Sequence, residues 1–177
     1  MGGQDKLAQF EQAVLPHLDA AYNLARWLTR QSDDAEDLAQ EAYVRAFEAF
    51  DGFRGGDARA WILTIVRHTC YTWFKRNRSQ ELETSFDEEV HSSTSADSTP
   101  EAALLADADR ETLMRALEEL PVEFREALIL RELEGLSYKE IAEVAGIPLG
   151  TVMSRLARAR KLLERSLTGR ISKEPER

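Results

Sequence analysis

Apolar residues recur at helical spacing along most of this chain, and the breaks between the periodic runs predict where helices begin and end. Leu15, Leu18, Tyr22, Ala25 and Leu28 repeat in this way within Lys6 to Arg30, where Pro16 suits a helix start or a break. Gln31-Ser32-Asp33-Asp34 reads as a turn and cap, with Asp33 and Glu36 at capping-box spacing. The next helix, Ala35 to Phe50, turns Leu38, Ala42, Ala46 and Phe50 to one side. Its other side carries Asp33, Asp37, Gln40, Glu41 and Glu48, with Arg45 beside them. After the glycine-containing loop DGFRGGD at 51–57, Ala58 to Arg78 predicts one long helix or two shorter ones, with Trp61, Ile62, Ile65 and Val66 toward a core. Helical pattern returns from Glu101 to Glu119. Pro121 then opens a further helix with Phe124, Leu128 and Leu133 facing inward, and Gly135 ends it.

The strongest local signal is SYKEIAEVAGIPLGTVMSRLARARKLL, Ser137 to Leu163. Ser137 and Glu140 have capping-box spacing, and Leu136 and Ile141 sit where a hydrophobic staple would close over the cap. Gly146 supplies a position free to take positive φ, and Pro148 keeps the first helix from running on. The second helix lines up Val152, Leu156, Ala159 and Leu163, while Ser154, Arg158, Lys161 and Arg165 point the other way. A solvated αα-hairpin could also carry cations near a helix C-terminus, where they suit the dipole. Cap, staple, basic face and the spacing of Ala142, Gly146 and Val152, which suits two helices crossing at close range, together point instead to a helix-turn-helix whose second helix enters a major groove.

Composition then narrows the class. Of 177 residues, 43% are hydrophobic and 31% charged, as in ordinary soluble domains. No apolar run approaches a membrane span and MGGQDKLAQF lacks a signal-peptide pattern, so a cytoplasmic protein without membrane insertion is expected. The single cysteine, Cys70, excludes an internal disulfide framework. His17, His68, His91 and Cys70 lack metal-ligand spacing, so neither a metal nor any other cofactor is expected. Net charge is −9, which looks wrong for a nucleic-acid binder until it is divided along the chain. Residues 1–80 are close to neutral, with 10 basic and 11 acidic side chains, and so are residues 112–177, with 12 and 11. Residues 81–111 hold ten acids against Arg110 alone. Local charge is what a phosphate backbone senses, so this acidic segment does not argue against DNA binding elsewhere. Its Ser/Thr-rich part, 79–100, cannot bury enough apolar surface to offset ordering entropy and reads as a flexible linker.

Two further stretches carry candidate chemistry. From Arg54 to Arg78 there are six Lys or Arg and one acid, interleaved with Phe53, Trp61, Tyr71, Trp73 and Phe74. Rings among cations hold unstacked bases while the cations follow the phosphates; an amphipathic core helix explains the same composition equally well. The Tyr71-Thr72-Trp73-Phe74 run puts rings on more than one face, so one seam cannot bury them all. The acidic face of Ala35–Phe50 is either a solvated face or a docking surface for a basic partner. A catalytic role for Cys70 or His68 lacks a partner at nucleophile–base spacing, and FRGGDA lacks the lysine of a phosphate loop, so no enzyme activity is expected.

Four features in order make the chain resemble a bacterial sigma factor of the extracytoplasmic-function (ECF) group, in the sigma-70 family. They are DAEDLAQEAYVRAF (34–47), FRGGDARAWILTIVRHTCYTWFKR (53–76), the acidic linker, and LEELPVEFREALILRELEGLSYKEIAEVAGIPLGTVMSRLARARKLL (117–163). The resemblance implies an all-α fold of two small helical domains: a sigma domain two-like unit at 1–80 and a domain four-like unit at 112–170. They would be joined by a flexible acidic linker at 81–111 and followed by a tail at 171–177. It implies that Asp34, Asp37, Gln40, Glu41 and Arg45 dock on the β′ clamp helices of core RNA polymerase, with the β flap as a further partner. Arg67, His68, Thr69, Tyr71, Thr72, Trp73, Lys75, Arg76 and Arg78 would meet the −10 element of promoter DNA, a flipped base entering a loop near His68 and Thr69. Tyr138, Lys139, Thr151, Met153, Ser154, Arg155, Arg158, Arg160 and Lys161 would serve the −35 element. Met153 stands where many relatives carry arginine, so the −35 sequence does not transfer. An anti-sigma factor is implied as an inhibitory partner. The rival is a helix-turn-helix repressor or response-regulator output protein acting without core polymerase. It explains 117–163 but leaves the aromatic–basic stretch and the acidic helix without a role.

Overall fold

The computed structural model describes residues 2–81 and 100–171, and the side chains of 2–77 and 107–169. The expected linker core at 82–99 and the end of the tail at 172–177 lie outside the described residues. All regular structure among the described residues is helical. Four α-helices build the first unit: α1 (Gly3–Val14), α2 (Leu18–Thr29), α3 (Ser32–Ala49) and α4 (Ala58–Glu81). Four more follow: α5 (Pro100–Glu118), α6 (Val122–Leu128), α7 (Tyr138–Ala145) and α8 (Leu149–Ile171). Helix α5 begins at Pro100, inside the acidic segment.

The first unit packs α2, α3 and α4 against one another, with α1 laid on α4. Its core is the stripe predicted for each helix: Ala25 and Leu28 from α2, Leu38, Ala42 and Ala46 from α3, Ile62 and Val66 from α4, all almost fully buried. Leu15 and Leu18 depart from expectation and stay exposed, at 45% and 44%. Pro16 starts a 3₁₀ turn over Leu15–His17, and this turn re-phases the two helices and carries both leucines off the buried side. Helix α3 starts at Ser32 behind an extended Gln31 with no side-chain cap, so the Asp33–Glu36 box does not form. Asp33 and Asp34 lie instead in the first turn, where the helix dipole favours them.

A 3₁₀ turn at Phe50–Gly52 and two left-handed glycines, Gly55 and Gly56, turn the chain into α4. Asp57 caps that helix by accepting from the amides of Arg59 (3.0 Å) and Ala60 (3.2 Å). Under this turn Phe10, Phe50, Phe53 and Trp61 meet edge-on, stacked or tilted, with centroids 4.9–6.2 Å apart. Helix α4 then runs unbroken to Glu81, so His68 and Thr69 lie in mid-helix and not in a loop. The nearby loop is the 50–57 turn at the helix start.

In the second unit α6 packs on α8, α7 on α8, and α5 along α8. Helix α6 widens into a π-helical turn at Ile129–Leu133, closed by the Glu134 amide donating to the Ile129 carbonyl at 3.0 Å. The wider turn carries Leu133 off the buried stripe and leaves it 59% exposed, contrary to its expected inward position. The capping box forms as read: Glu140 N–H donates to Ser137 Oγ (3.1 Å) and Ser137 N–H to Glu140 Oε2 (2.8 Å). Leu136 and Ile141 bury over it, and Gly146 ends α7 at φ 65°. Val152, Leu156 and Ala159 line the inner face of α8 as predicted.

The two units are in contact. Helix α4 packs on α7 and α2 on α6, and the buried apolar side chains run as one cluster from Phe10 through Ala159.

Candidate nucleic-acid interface

Helix α8 presents a basic outer face. Met153, Ser154, Arg158, Arg160 and Lys161 are exposed there, with Thr151 and Arg155 half-buried at its margins. Met153 is 53% exposed, a large apolar side chain turned to solvent on the face meant for a groove. Beside it, Arg160 pairs with Glu132 at 3.2 Å and is further held by Tyr138, which raises its already high pKa. Tyr138 is half-buried and carries the Arg131 guanidinium 5.0 Å from its ring centroid, while Lys139 is exposed. Arg131 was not among the expected contacts. It donates to the Leu136 carbonyl at 2.9 Å and so stands at the edge of the same basic surface.

Helix α4 divides the residues expected to meet single strands. His68, Lys75 and Arg76 are exposed, and Thr72 is half-buried with its hydroxyl bonded to the His68 carbonyl. Thr69 is 2% exposed and its hydroxyl donates to the Ile65 carbonyl, so it packs inward. The side chain of Arg78 lies outside the described residues. Tyr71, Trp73 and Phe74 are all half-buried, and Phe74 meets each of the other two edge-on, at 5.5–5.7 Å between centroids. The second unit covers part of this face, where the Tyr71 hydroxyl donates to Glu126.

That cover centres on Glu126 of α6, which is 2% exposed. Its carboxylate accepts from Arg67 Nε and, at 2.8 Å, from the Tyr71 hydroxyl. The Arg67 guanidinium also lies over the Tyr71 ring, 4.3 Å from its centroid. Burial pushes the Glu126 carboxyl up, against the opposing Arg67 charge and the two hydrogen bonds. Burial, then the facing carboxylate, also push the Tyr71 phenol up. Next along α6, Arg125 is buried and donates to the carbonyls of Glu118 (2.9 Å), Leu120 (3.0 Å) and Leu28 (3.3 Å). Burial and then Arg30 lower its pKa to about 10, far enough above neutral that it remains a cation. Glu126 was missed in the sequence. The available signal was a carboxylate three and four residues before Ile129 and Leu130, on the apolar stripe of its helix.

The acidic face of α3 stands where expected. Asp37 and Gln40 are exposed, Asp34 and Glu41 half-buried, and Arg45 bonds Glu41 at 2.5 Å across one turn. No group of three or more His, Cys, Asp or Glu side chains among the described residues could hold a metal ion. No described helix is long and apolar enough to cross a membrane.

Comparison with known proteins gives this geometry a context. Residues 13–80 match the family model "Sigma-70 region 2" and residues 110–163 match "Sigma-70, region 4". The chain is 34% identical over 171 residues to the RNA polymerase sigma-H factor of Pseudomonas aeruginosa, covering 92% of this chain and 88% of that one. It is 36% identical over 140 residues to the ECF RNA polymerase sigma-E factor of Escherichia coli K12, covering 75% and 73%. A further relative is the ECF RNA polymerase sigma factor SigE of Mycolicibacterium smegmatis, 33% identical over 162 residues. That match covers 92% of this chain and only 63% of the longer relative. Among solved structures, the sigma factor RpoE of Bartonella quintana, crystallised with the anti-sigma factor NepR, superposes with a TM-score of 0.76. That superposition is at 29% identity and covers 90% of this chain and 97% of RpoE. CnrH in complex with the cytosolic domain of CnrY gives 0.62 at 26% identity, covering 90% and 88%. The chain belongs to the ECF group of the sigma-70 family, the transcription initiation factors that direct RNA polymerase to promoters.

Proposed function

We propose that this chain divides promoter opening between its two helical units and acts without any catalytic chemistry of its own. The unit at 1–80 docks on core polymerase and holds the −10 element. The unit at 112–170 grips the −35 element, and 81–111 tethers the two, with 171–177 as a tail. The observation that carries the reading is the exposed basic face of α8 on a formed helix-turn-helix, in one chain with the acidic face of α3.

Arg155, Arg158, Arg160 and Lys161 share phosphate and base-edge contacts in the major groove. One bidentate arginine on guanine supplies about 1–3 kcal/mol of discrimination, enough to choose among promoters. Unpaired −10 bases stack on rings of α4 while Lys75, Arg76 and Arg78 follow the strand. Each stacked base returns about 1–3 kcal/mol, comparable with the cost of unstacking it. The factor therefore shifts the duplex–open equilibrium only by its differential affinity for the unpaired state. Asp34, Asp37, Gln40, Glu41 and Arg45 engage the β′ clamp helices, and the β flap is a second contact on polymerase. The protein works beside polymerase in the cytoplasm, and the anti-sigma complexes of its structural neighbours support an inhibitory partner of that kind here.

The test is run-off transcription with reconstituted holoenzyme over a genomic template library. The wild-type chain should direct core enzyme to discrete start sites. Arg158→Ala should weaken −35 use and still retain core in a pull-down, whereas Asp37→Ala with Glu41→Ala should lose core itself. Tight specific duplex binding by the chain alone, with no initiation from any template, would return the protein to the repressor reading.

A further inference from the structure

Helix α8 turns a mixed face to solvent, and the apolar half of that face has no part in gripping phosphates. Leu149, Met153 and Ala157 follow one another at i, i+4 and i+8, and all three are exposed. Leu149 and Met153 are large hydrophobic side chains left 49% and 53% exposed. A single exposed hydrophobe needs no explanation, but a track of them along one helix face marks a contact surface. Its flanks say what kind of surface. Ser154, Arg158 and Lys161 run beside it on the same exposed side, and Arg155 stands half-buried at the margin. No acidic side chain falls within residues 149–161. An apolar strip between cations complements a DNA major groove, whose walls are phosphates and whose floor carries one apolar group, the C5 methyl of thymine. An apolar protein helix laid on the same strip would leave those cations unpaired. The track also lies in the turns that matter. Leu149 opens α8 and Met153 is one turn in, and the N-terminal turns of a recognition helix are the ones that meet base edges. Gly150, between them, has no side chain to hold the helix off the groove floor.

We propose that Met153 reads the C5 methyl of a thymine in the −35 element, with Leu149 one turn before it keeping water from the contact. The inference rests on the reading of α8 as the −35 helix, and it names the base chemistry that this helix selects. Three physical points carry it. A thioether donates no hydrogen bond and accepts only weakly, so Met153 gains nothing from the polar edge of guanine or from the amino group of adenine or cytosine. A thymine methyl instead gives it an apolar partner in place of water. The unbranched, polarisable side chain adapts its torsions to a methyl whose position varies with local groove shape. Arg155 and Arg158 remain for hydrogen-bonded readout, so the two kinds of contact divide the element between them.

Deoxyuridine tests this, because it pairs as thymidine does and lacks only the methyl. Reconstituted holoenzyme first selects its −35 element from randomised promoters, and each thymine on either strand is then replaced singly by uracil. Open-complex formation by the wild type should fall about fourfold at one position, the effect of leaving one methyl group without its apolar contact. Met153→Ala should lose about fourfold on the thymine template and nothing further on the uracil template, since the same contact is already absent. Met153→Leu should recover most of the loss and with it the sensitivity to uracil. Circular dichroism and a core pull-down check each variant, and both should match wild type because Met153 lies on the surface. The proposal is overturned if uracil is neutral at every thymine, if the selected element contains none, or if the losses from Met153→Ala and uracil add. Loss of core by folded Met153→Ala would also overturn it and assign the track to a protein partner. Failure of the functional reading looks different: initiation would then ignore the −35 element and Arg158→Ala would change nothing, which removes this inference as well. Dependence on the −35 element and on Arg158, with no methyl effect, sinks the methyl contact alone.

Discussion

Single residues of this protein do work that their neighbours in sequence do not announce. Cys70 is the example with a pH signature. Its thiol is fully buried in the first unit, and burial, followed by the charges of Glu126 and Glu41, pushes its pKa from 9.0 up to about 12. The folded state therefore binds this proton more tightly than the unfolded chain does, so stability falls as pH rises from about 9 toward 12. The full span is worth at most ~4 kcal/mol. Urea unfolding of wild type and Cys70→Ala across that alkaline range should show a shallower loss in the variant, whatever the two stabilities are at pH 7. Equal slopes would mean that the thiol never ionises before global unfolding. That two carboxylates would sit near Cys70 was not legible in the sequence, because Glu126 and Glu41 come from other helices.

Helices α7 and α8 were the most legible elements, because their signals are local. Cap, staple and left-handed glycine all act within a few residues and leave the fold little choice. Ser137→Ala should accordingly cost about 1 kcal/mol by leaving the Glu140 amide without its acceptor, read as a lower urea midpoint at unchanged m. An unchanged midpoint would show that water replaces the cap at no cost. The junction of α1 and α2 and the end of α6 were less legible for the opposite reason. Leu15, Leu18 and Leu133 have the right spacing for a core, but a 3₁₀ turn and a π-helical turn shift the phase under them. Periodicity assumes a constant turn, and neither place has one.

At the scale of the whole molecule the two family regions meet along α4–α7 and α2–α6, with charged groups buried between them. This predicts how the protein melts. All three tryptophans, Trp27, Trp61 and Trp73, belong to the first unit, whereas far-ultraviolet dichroism reports helices of both. Thermal transitions followed by tryptophan fluorescence and by dichroism should coincide, as one cooperative event. Two separated midpoints would mean that the units unfold independently and that their contact contributes little. The same contact explains the aromatic run of α4. Tyr71, Trp73 and Phe74 cannot share one seam of one helix: Tyr71 reaches Glu126 of α6, and Phe74 packs edge-on to both other rings.

The sequence alone determined the helices, the helix-turn-helix, the acidic face of α3 and the basic face of α8. Each is written in caps, turn residues and side-chain spacing that act over one or two helical turns. Tertiary structure alone decided which side of α4 is covered, which of its polar residues turn inward, and what Glu126 is for. Those outcomes depend on partners such as Arg67, 59 residues away from Glu126, and on burial that exists only once two units have met. A side chain's spacing fixes the face it lies on; only packing settles whether that face meets water, another helix or a buried charge.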